Sequence, residues 1–156
     1  KILDVGCGPG IQAEYFSRQG FDVTAIDLAE SFLSMGKQNA KEVNFIKMDM
    51  KNLKFQNSAF DGLWVCGSFS HIKKDTAQKT INDFNKALKQ NGLLFISVKI
   101  GKEEKVVSEN KFNQETNRFF ASYSKDEISQ LLNKANFEII QLTNDEKWFD
   151  IFAVKK

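Results

Sequence analysis

Over residues 1–98, short apolar runs alternate with amphipathic stretches. Residues 1–5 form a short apolar run that ends in glycines, and 11–19 read as a helix with Ile11 and Tyr15 on one face and Gly20 as its stop. Residues 22–27 (DVTAID) predict a second strand. Residues 30–40 predict a helix with Phe32, Met35 and Gly36 turned inward. VNFIK at 43–47 and FDGLWVC at 60–66 predict two more strands. The clearest helix covers 75–90, where Ala77, Ile81, Phe84 and Leu88 share one face and Asn91-Gly92 ends it. LLFISV at 93–98 is apolar throughout, as a strand covered on both faces should be. Such βα punctuation predicts a parallel sheet with helices on both faces.

The second part of the chain reads differently. Residues 99–117 are polar and aperiodic and predict a long, mobile connection, ending in Arg118-Phe119-Phe120-Ala121-Ser122-Tyr123. Ser124 and Glu127 form a capping box for a helix with Ile128, Leu131, Leu132 and Ala135 as its inner stripe. Residues 137–142 and 148–154 are two strands joined by only five residues, which predicts an antiparallel hairpin. The 156 residues make one domain, 1–156, with 42% hydrophobic and 27% charged residues, as in an ordinary globular protein.

Charge narrows the partners. The net charge of +2 is too small to argue for a polyanion partner, and Arg18 and Arg118 are the only arginines. Arginine is the usual reader of base edges, so sequence-specific nucleic-acid binding is disfavoured. No apolar run approaches the roughly 20 residues of a membrane helix, and no signal peptide stands at the start. Cys7 and Cys66 lack CxxC spacing and read as reduced, buried spacers of a cytoplasmic protein. One histidine, His71, cannot build a histidine-rich metal site, and no metal is expected. The oligomeric state is not legible.

Asp4-Val5-Gly6-Cys7-Gly8-Pro9-Gly10 joins the first strand to the first helix. In open α/β sheets, ligands bind outside the carboxyl ends of the strands. Asp27 ends the second strand, where a carboxylate can take both hydroxyls of a ribose; Asp49 follows the third, where it can accept from an adenine amino group, with Met50 packing on the ring. A dinucleotide site wants GxGxxG, whereas this chain has GxGxG and Ile11 at the third glycine position. Asp4 would repel a pyrophosphate and attract the ammonium of an amino acid. These features together favour S-adenosylmethionine over NAD.

The motifs resemble those of the class I S-adenosylmethionine-dependent methyltransferases, in particular the small-molecule type. KILDVGCGPG is similar to their first motif, DVTAIDLAESFL to the second, FIKMDM to the third, FDGLWVCGSFSHI to the fourth and NGLLFISV to the fifth; the ending is similar to their last helix and hairpin. The resemblance implies an α/β, Rossmann-like, doubly wound seven-stranded sheet of order 3-2-1-4-5-7-6 with strand seven antiparallel. It implies S-adenosylmethionine as cofactor, S-adenosylhomocysteine as product and a small-molecule acceptor. Position by position, Gly6, Cys7, Gly8 and Gly10 would lie along the methionine part of the cofactor with Asp4 nearby. Asp27 and Leu28 would hold the ribose, Asp49 and Met50 would frame the adenine, and Cys66 would lie beneath the cofactor. Two departures stand out. Helices that precede strand one in the family are absent from this sequence, and the fourth motif lacks the (D/N)PPY of enzymes that methylate nucleic-acid amines.

His71 follows the fourth strand and is the candidate general base; it could equally orient its loop. Trp148, Phe149 and Phe152 read as hairpin core. Arg118 with Phe119, Phe120 and Tyr123 reads either as an anion- or aromatic-binding segment or as a docking strand. Two other functions compete: an inert cofactor-binding protein and, opposed by Asp4 and Ile11, an NAD-dependent oxidoreductase.

Overall fold

The computed structural model describes residues 1–111 and 114–156. Strand β1 (Ile2–Val5) leads through the glycine turn to helix α1 (Ile11–Arg18), and β2 (Val23–Asp27) to α2 (Glu30–Asn39) and β3 (Asn44–Lys47). Strand β4 (Phe60–Cys66), helix α3 (Lys74–Ala87) and strand β5 (Leu88–Lys99) follow. Two strands, β6 (Glu104–Lys111) and β7 (Gln114–Ala121), precede α4 (Lys125–Lys134), β8 (Phe137–Asn144) and β9 (Trp148–Lys155).

Seven strands form one sheet in the order β3-β2-β1-β4-β5-β9-β8. The pairs from β3 to β5 are parallel, and β9 runs antiparallel to both β5 and β8. This is the expected Rossmann-like order with its single reversed strand. The reversal at β1, where the chain winds first toward β3 and then toward β5, opens the crevice in which such sheets bind ligands.

The core follows the predicted stripes on the later helices, except that α3 ends at Ala87 and Leu88, expected on its apolar face, opens β5 instead. Ala77, Ile81 and Phe84 of α3 and Ile128 and Leu132 of α4 are fully buried against the sheet. The first two helices differ from expectation. On α1 the buried residue is Ala13, while Ile11 and Tyr15 are exposed. On α2 the buried residues are Leu33 and Gly36, while Phe32 and Met35 are exposed. Both helices approach the sheet at small residues. An added Cβ would fall 2.7 Å from the Phe45 ring at Gly10 and 2.5 Å from it at Gly36. Phe45 fills the space that two glycines leave, so the larger apolar side chains turn outward.

The capping box is half realised. The Glu127 backbone N–H donates to Ser124 Oγ (3.3 Å), but the Glu127 carboxylate accepts from Lys74 Nζ at 2.8 and 2.9 Å, tying α4 to α3. Ser124→Ala is expected to lower stability by about 1 kcal/mol, as loss of an N-cap usually does; urea denaturation with an unchanged slope would report it.

The expected 99–117 connection is instead a two-stranded ribbon, β6 paired antiparallel with β7 from Glu104↔Ala121 to Lys111↔Gln114, residues 112–113 lying outside the described residues. A two-stranded ribbon is marginal by itself, and this one is fastened at its base. Ser122 N–H donates to Glu103 O (2.8 Å), Gly101 N–H to Tyr123 O (3.0 Å) and Tyr123 N–H to Lys99 O (2.8 Å). Lys74 adds its N–H to the Glu104 carboxylate (2.8 Å) and its ammonium to Lys102 O (3.1 Å).

Candidate functional site

A cleft of about 550 Å³ lies at the carboxyl ends of β1, β2 and β4. Of the residues singled out by sequence, Gly6, Gly8, Asp27, Leu28, Asp49, Met50, Cys66 and His71 line it. Asp4, Cys7 and Gly10 do not. Asp4 lies buried on β1 beneath the turn, Cys7 points into the α1–α2 core, and Gly10 abuts Phe45.

The turn takes its shape from two glycines with different surroundings. Gly6 has φ +71°, and a Cβ there would sit 2.3 Å from Ser68 Cβ. Ser68 is itself fixed by donating its hydroxyl to Val5 O (2.6 Å), so the end of β4 closes directly on the end of β1. Gly8 has φ +54°, and a Cβ there would meet nothing within 4 Å. Its open side belongs to the cleft.

The three carboxylates at successive strand ends sit in three environments. Asp27 accepts from Gly8 N–H through Oδ2 (2.9 Å) and from Ala29 N–H through Oδ1 (2.8 Å), which holds it rigidly at the rim with a further lone pair on each oxygen. Asp49 accepts from Lys51 N–H (2.9 Å) and caps the single helical turn Met50–Asn52. Asp4 is 2% exposed and its Oδ2 has no partner. Burial above all, with a smaller push from Asp27 and against a bond from Ala13 N–H, raises its carboxyl to about 7. An orphaned, buried carboxylate next to a ligand-sized cleft fits a cationic ligand group better than it fits a stability role.

The cysteines separate. Cys7 is buried, and burial with the charges of Asp4 and Asp27 pushes its thiol up to about 12. Cys66 is exposed, contrary to the expected buried spacer, because it is the last residue of β4 and opens onto the cleft. Desolvation first, then Asp150 and Asp4, raises its thiol too. Neither is a thiolate at neutral pH, so neither is a poised nucleophile.

His71 sits in the short helical turn Ser68–His71. Its Nδ1 lies 2.8 Å from the Phe119 carbonyl, which can only accept, so Nδ1 carries the proton. Nε2 then accepts from Arg118 Nη2 at 3.0 Å. The ribbon therefore reaches the cleft through Arg118 and Phe120, whereas Tyr123 is fully buried in the core. Trp148, read from sequence as hairpin core, lines the cleft, with its ring 3.6 Å from the Cβ position of Gly67. Gly67 and Ser68 were not singled out, although their place directly after a strand end was the available signal. Among the described residues no group of three His, Cys, Asp or Glu could hold a metal ion, and no helix is long and apolar enough to cross a membrane.

Known proteins agree with this architecture. The ubiquinone biosynthesis O-methyltransferase of Rickettsia canadensis is 33% identical over 101 residues, which cover 62% of this chain and 42% of the relative. The chain thus spans about two fifths of the length of that curated relative. A SAM-dependent methyltransferase from Methanosarcina mazei superposes with a TM-score of 0.86 at 20% identity, covering 99% of this chain and 91% of that one. The Burkholderia thailandensis 1,6-didemethyltoxoflavin-N1-methyltransferase, with bound 1,6-didemethyltoxoflavin and S-adenosylhomocysteine, superposes with a TM-score of 0.80 at 23% identity, covering 99% of this chain and 70% of that one. Residues 2–92 match the family described as Methyltransferase domain, and the chain belongs to that S-adenosylmethionine-dependent family.

Proposed function

We propose that this chain transfers a methyl group from S-adenosylmethionine to a small-molecule acceptor. The observation that carries the reading is the convergence of Asp27 and Asp49, from two successive strand ends, on one cleft lined by Gly6 and Gly8, with Asp4 buried beneath the glycine turn. The residues present fit the cofactor: a buried carboxylate beneath the glycine turn, with one unpartnered oxygen, for an ammonium, a rim carboxylate with spare lone pairs for two adjacent hydroxyls, and a capping carboxylate beside Met50 and Leu28 for a flat heterocycle. When bound, S-adenosylmethionine supplies a methyl group activated by its sulfonium.

The protein's share is placement. The backbone at Gly6 and Gly8 allows close approach, Asp27 fixes orientation, and Trp148 and Phe120 keep water from the acceptor end. Alignment of this kind can supply roughly 7–11 kcal/mol of a barrier. His71 Nε2 is the lone pair at the acceptor end that can receive a proton, and Arg118 must then release it.

The test is transfer of labelled methyl from S-adenosylmethionine to extractable products of a small-molecule pool. Cofactor binding without any transfer would favour the inert reading. Asp27→Ala is expected to weaken S-adenosylhomocysteine binding by roughly 1.5–3 kcal/mol through loss of charge-assisted hydrogen bonds. Calorimetry checks it, and a variant that unfolds while its folded fraction binds normally would make Asp27 structural.

A further inference from the structure

Resting on the methyl-transfer reading, we infer that the acceptor carries a protonated amine, held by the Asp150 carboxylate and the Ser97 hydroxyl where β4, β5 and β9 meet the cleft. Strand register builds this subsite. Cys66 stands opposite Ser97 across the parallel β4–β5 pair, and Ser97 stands opposite Asp150 across the antiparallel β5–β9 pair. Their chain neighbours Val65, Ile96, Val98, Phe149 and Ile151 are buried in the main core. By strand alternation the three polar side chains therefore lie on the other face of the sheet. Trp148 shares that face, two residues before Asp150 on β9. Cys66 and Trp148 both line the cleft, so the polar row continues from its wall.

Two groups in this row lack partners. Among the described residues, Ser68, Ser70, Thr80 and Ser122 are buried, and each of their hydroxyls is hydrogen-bonded. Ser97 is buried too, at 5% exposed, yet its hydroxyl makes no hydrogen bond to any described residue. The half-buried Asp150 carboxylate likewise has no hydrogen-bond or ion-pair partner among the described residues. It faces Cys66, whose thiol is pushed up first by burial and then by the Asp150 charge. Residues directly opposite on antiparallel strands have Cβ atoms about 4.5–5.5 Å apart, so one small group reaches both Ser97 and Asp150. Buried polar groups are ordinarily satisfied, and two left open together beside a ligand cleft show what the ligand must bring. A ligand hydroxyl would satisfy Ser97 but leave the Asp150 charge uncompensated in a partly desolvated place. An ammonium donates to both oxygens and neutralises the charge, and the Trp148 ring on the same face favours a cation further. A metal ion would need more donors than the row offers.

The experiment uses the whole chain saturated with S-adenosylhomocysteine, probed with benzylamine and with its uncharged analogue benzyl alcohol. Calorimetry reads affinity, and the indole N–H resonances of the two tryptophans, Trp64 and Trp148, read location. Benzylamine is expected to bind at least tenfold more tightly than benzyl alcohol and to shift the Trp148 resonance, assigned with Trp148→Phe. Asp150→Asn is expected to remove that preference while leaving S-adenosylhomocysteine affinity within twofold, which also reports that the variant is folded. Ser97→Ala is expected to weaken benzylamine at least threefold, and it decides together with the Trp148 shift if Asp150→Asn does not fold. Equal binding of the two probes, a preference that survives Asp150→Asn, or benzylamine binding that leaves Trp148 unmoved would overturn the inference and leave the cofactor reading intact. A tenfold loss of S-adenosylhomocysteine affinity in a folded Asp150→Asn variant would overturn it in another way, by assigning the carboxylate to the cofactor. Failure of the parent chain to bind S-adenosylhomocysteine would instead refute the reading beneath it, and the inference with it.

Discussion

Gly6→Ala is expected to lose both the fold's margin of stability and the cofactor. Gly6 has φ +71°, and the new Cβ would stand 2.3 Å from Ser68 Cβ and 2.8 Å from its Oγ. Left-handed backbone at a residue with a Cβ costs roughly 1–2 kcal/mol, and forced overpacking adds about 1–3 kcal/mol. Ser68 cannot yield easily, because its hydroxyl is bonded to Val5 O and the residue is buried. Relief would come from parting the ends of β1 and β4, the two strand ends that frame the cleft. A loss of about 2–5 kcal/mol in urea denaturation is therefore expected, together with no calorimetric binding of S-adenosylhomocysteine. Gly8→Ala is the comparison. It carries the same kind of backbone strain at φ +54°, but its Cβ would meet no protein atom within 4 Å. It should cost only about 1–2 kcal/mol of stability and still block binding, since its side chain would stand where the ligand approaches. A Gly8→Ala variant that binds like the parent would show that the cofactor does not lie over the turn.

The frame of the fold was legible because its strands and two later helices are governed by burial. Ala77, Ile81 and Phe84 fall on one face whatever the surroundings, and the expected sheet order with its reversed strand is the one observed. The early helices were not, because close packing there uses the absence of side chains. Gly10 and Gly36 admit the Phe45 ring, and no periodicity of large residues announces that. Gly10 illustrates the ambiguity further: a glycine in a ligand-binding motif can also serve packing. The ribbon escaped notice for the opposite reason. Away from its base, where Phe120 and Ala121 are buried, most of the ribbon residues whose burial is described are exposed, Val106 among them at 64%, so no long apolar alternation marks the strands. Its fastening is made of backbone bonds and of Lys74, Ser122 and His71, residues far apart in sequence. The candidate site divided along the same line. The strand-end carboxylates follow from topology, while Trp148 and Arg118 reach the cleft by tertiary folding that places the start of β9 and the returning ribbon beside β4.

Asp4→Asn is expected to separate stability from function. The Asp4 carboxyl is raised from 3.8 to about 7, chiefly by burial. A raised carboxyl means that the folded state holds the proton more tightly than the unfolded state does. Its stabilising effect is complete below about pH 4 and is lost as pH climbs to about 7, a decline on the order of 4 kcal/mol for a shift of that size. Asparagine keeps the shape and has no charge to desolvate. The variant should therefore match the parent near pH 4 to within about 1 kcal/mol and exceed it at pH 8 by several kcal/mol; urea denaturation at the two pH values measures both. Binding should move the other way. A cationic ligand group needs the ionised carboxylate, so the parent's affinity for S-adenosylhomocysteine should rise between pH 6 and 8 and binding near pH 7 should release protons. Calorimetry in buffers of different ionisation enthalpy counts those protons. The Asp4→Asn variant should bind roughly 10-fold or more weakly, as loss of a charge-assisted bond implies, and should release none. If the variant is less stable than the parent at pH 8 and binds as well, Asp4 is a structural residue of β1, and the orphaned oxygen is no mark of a ligand.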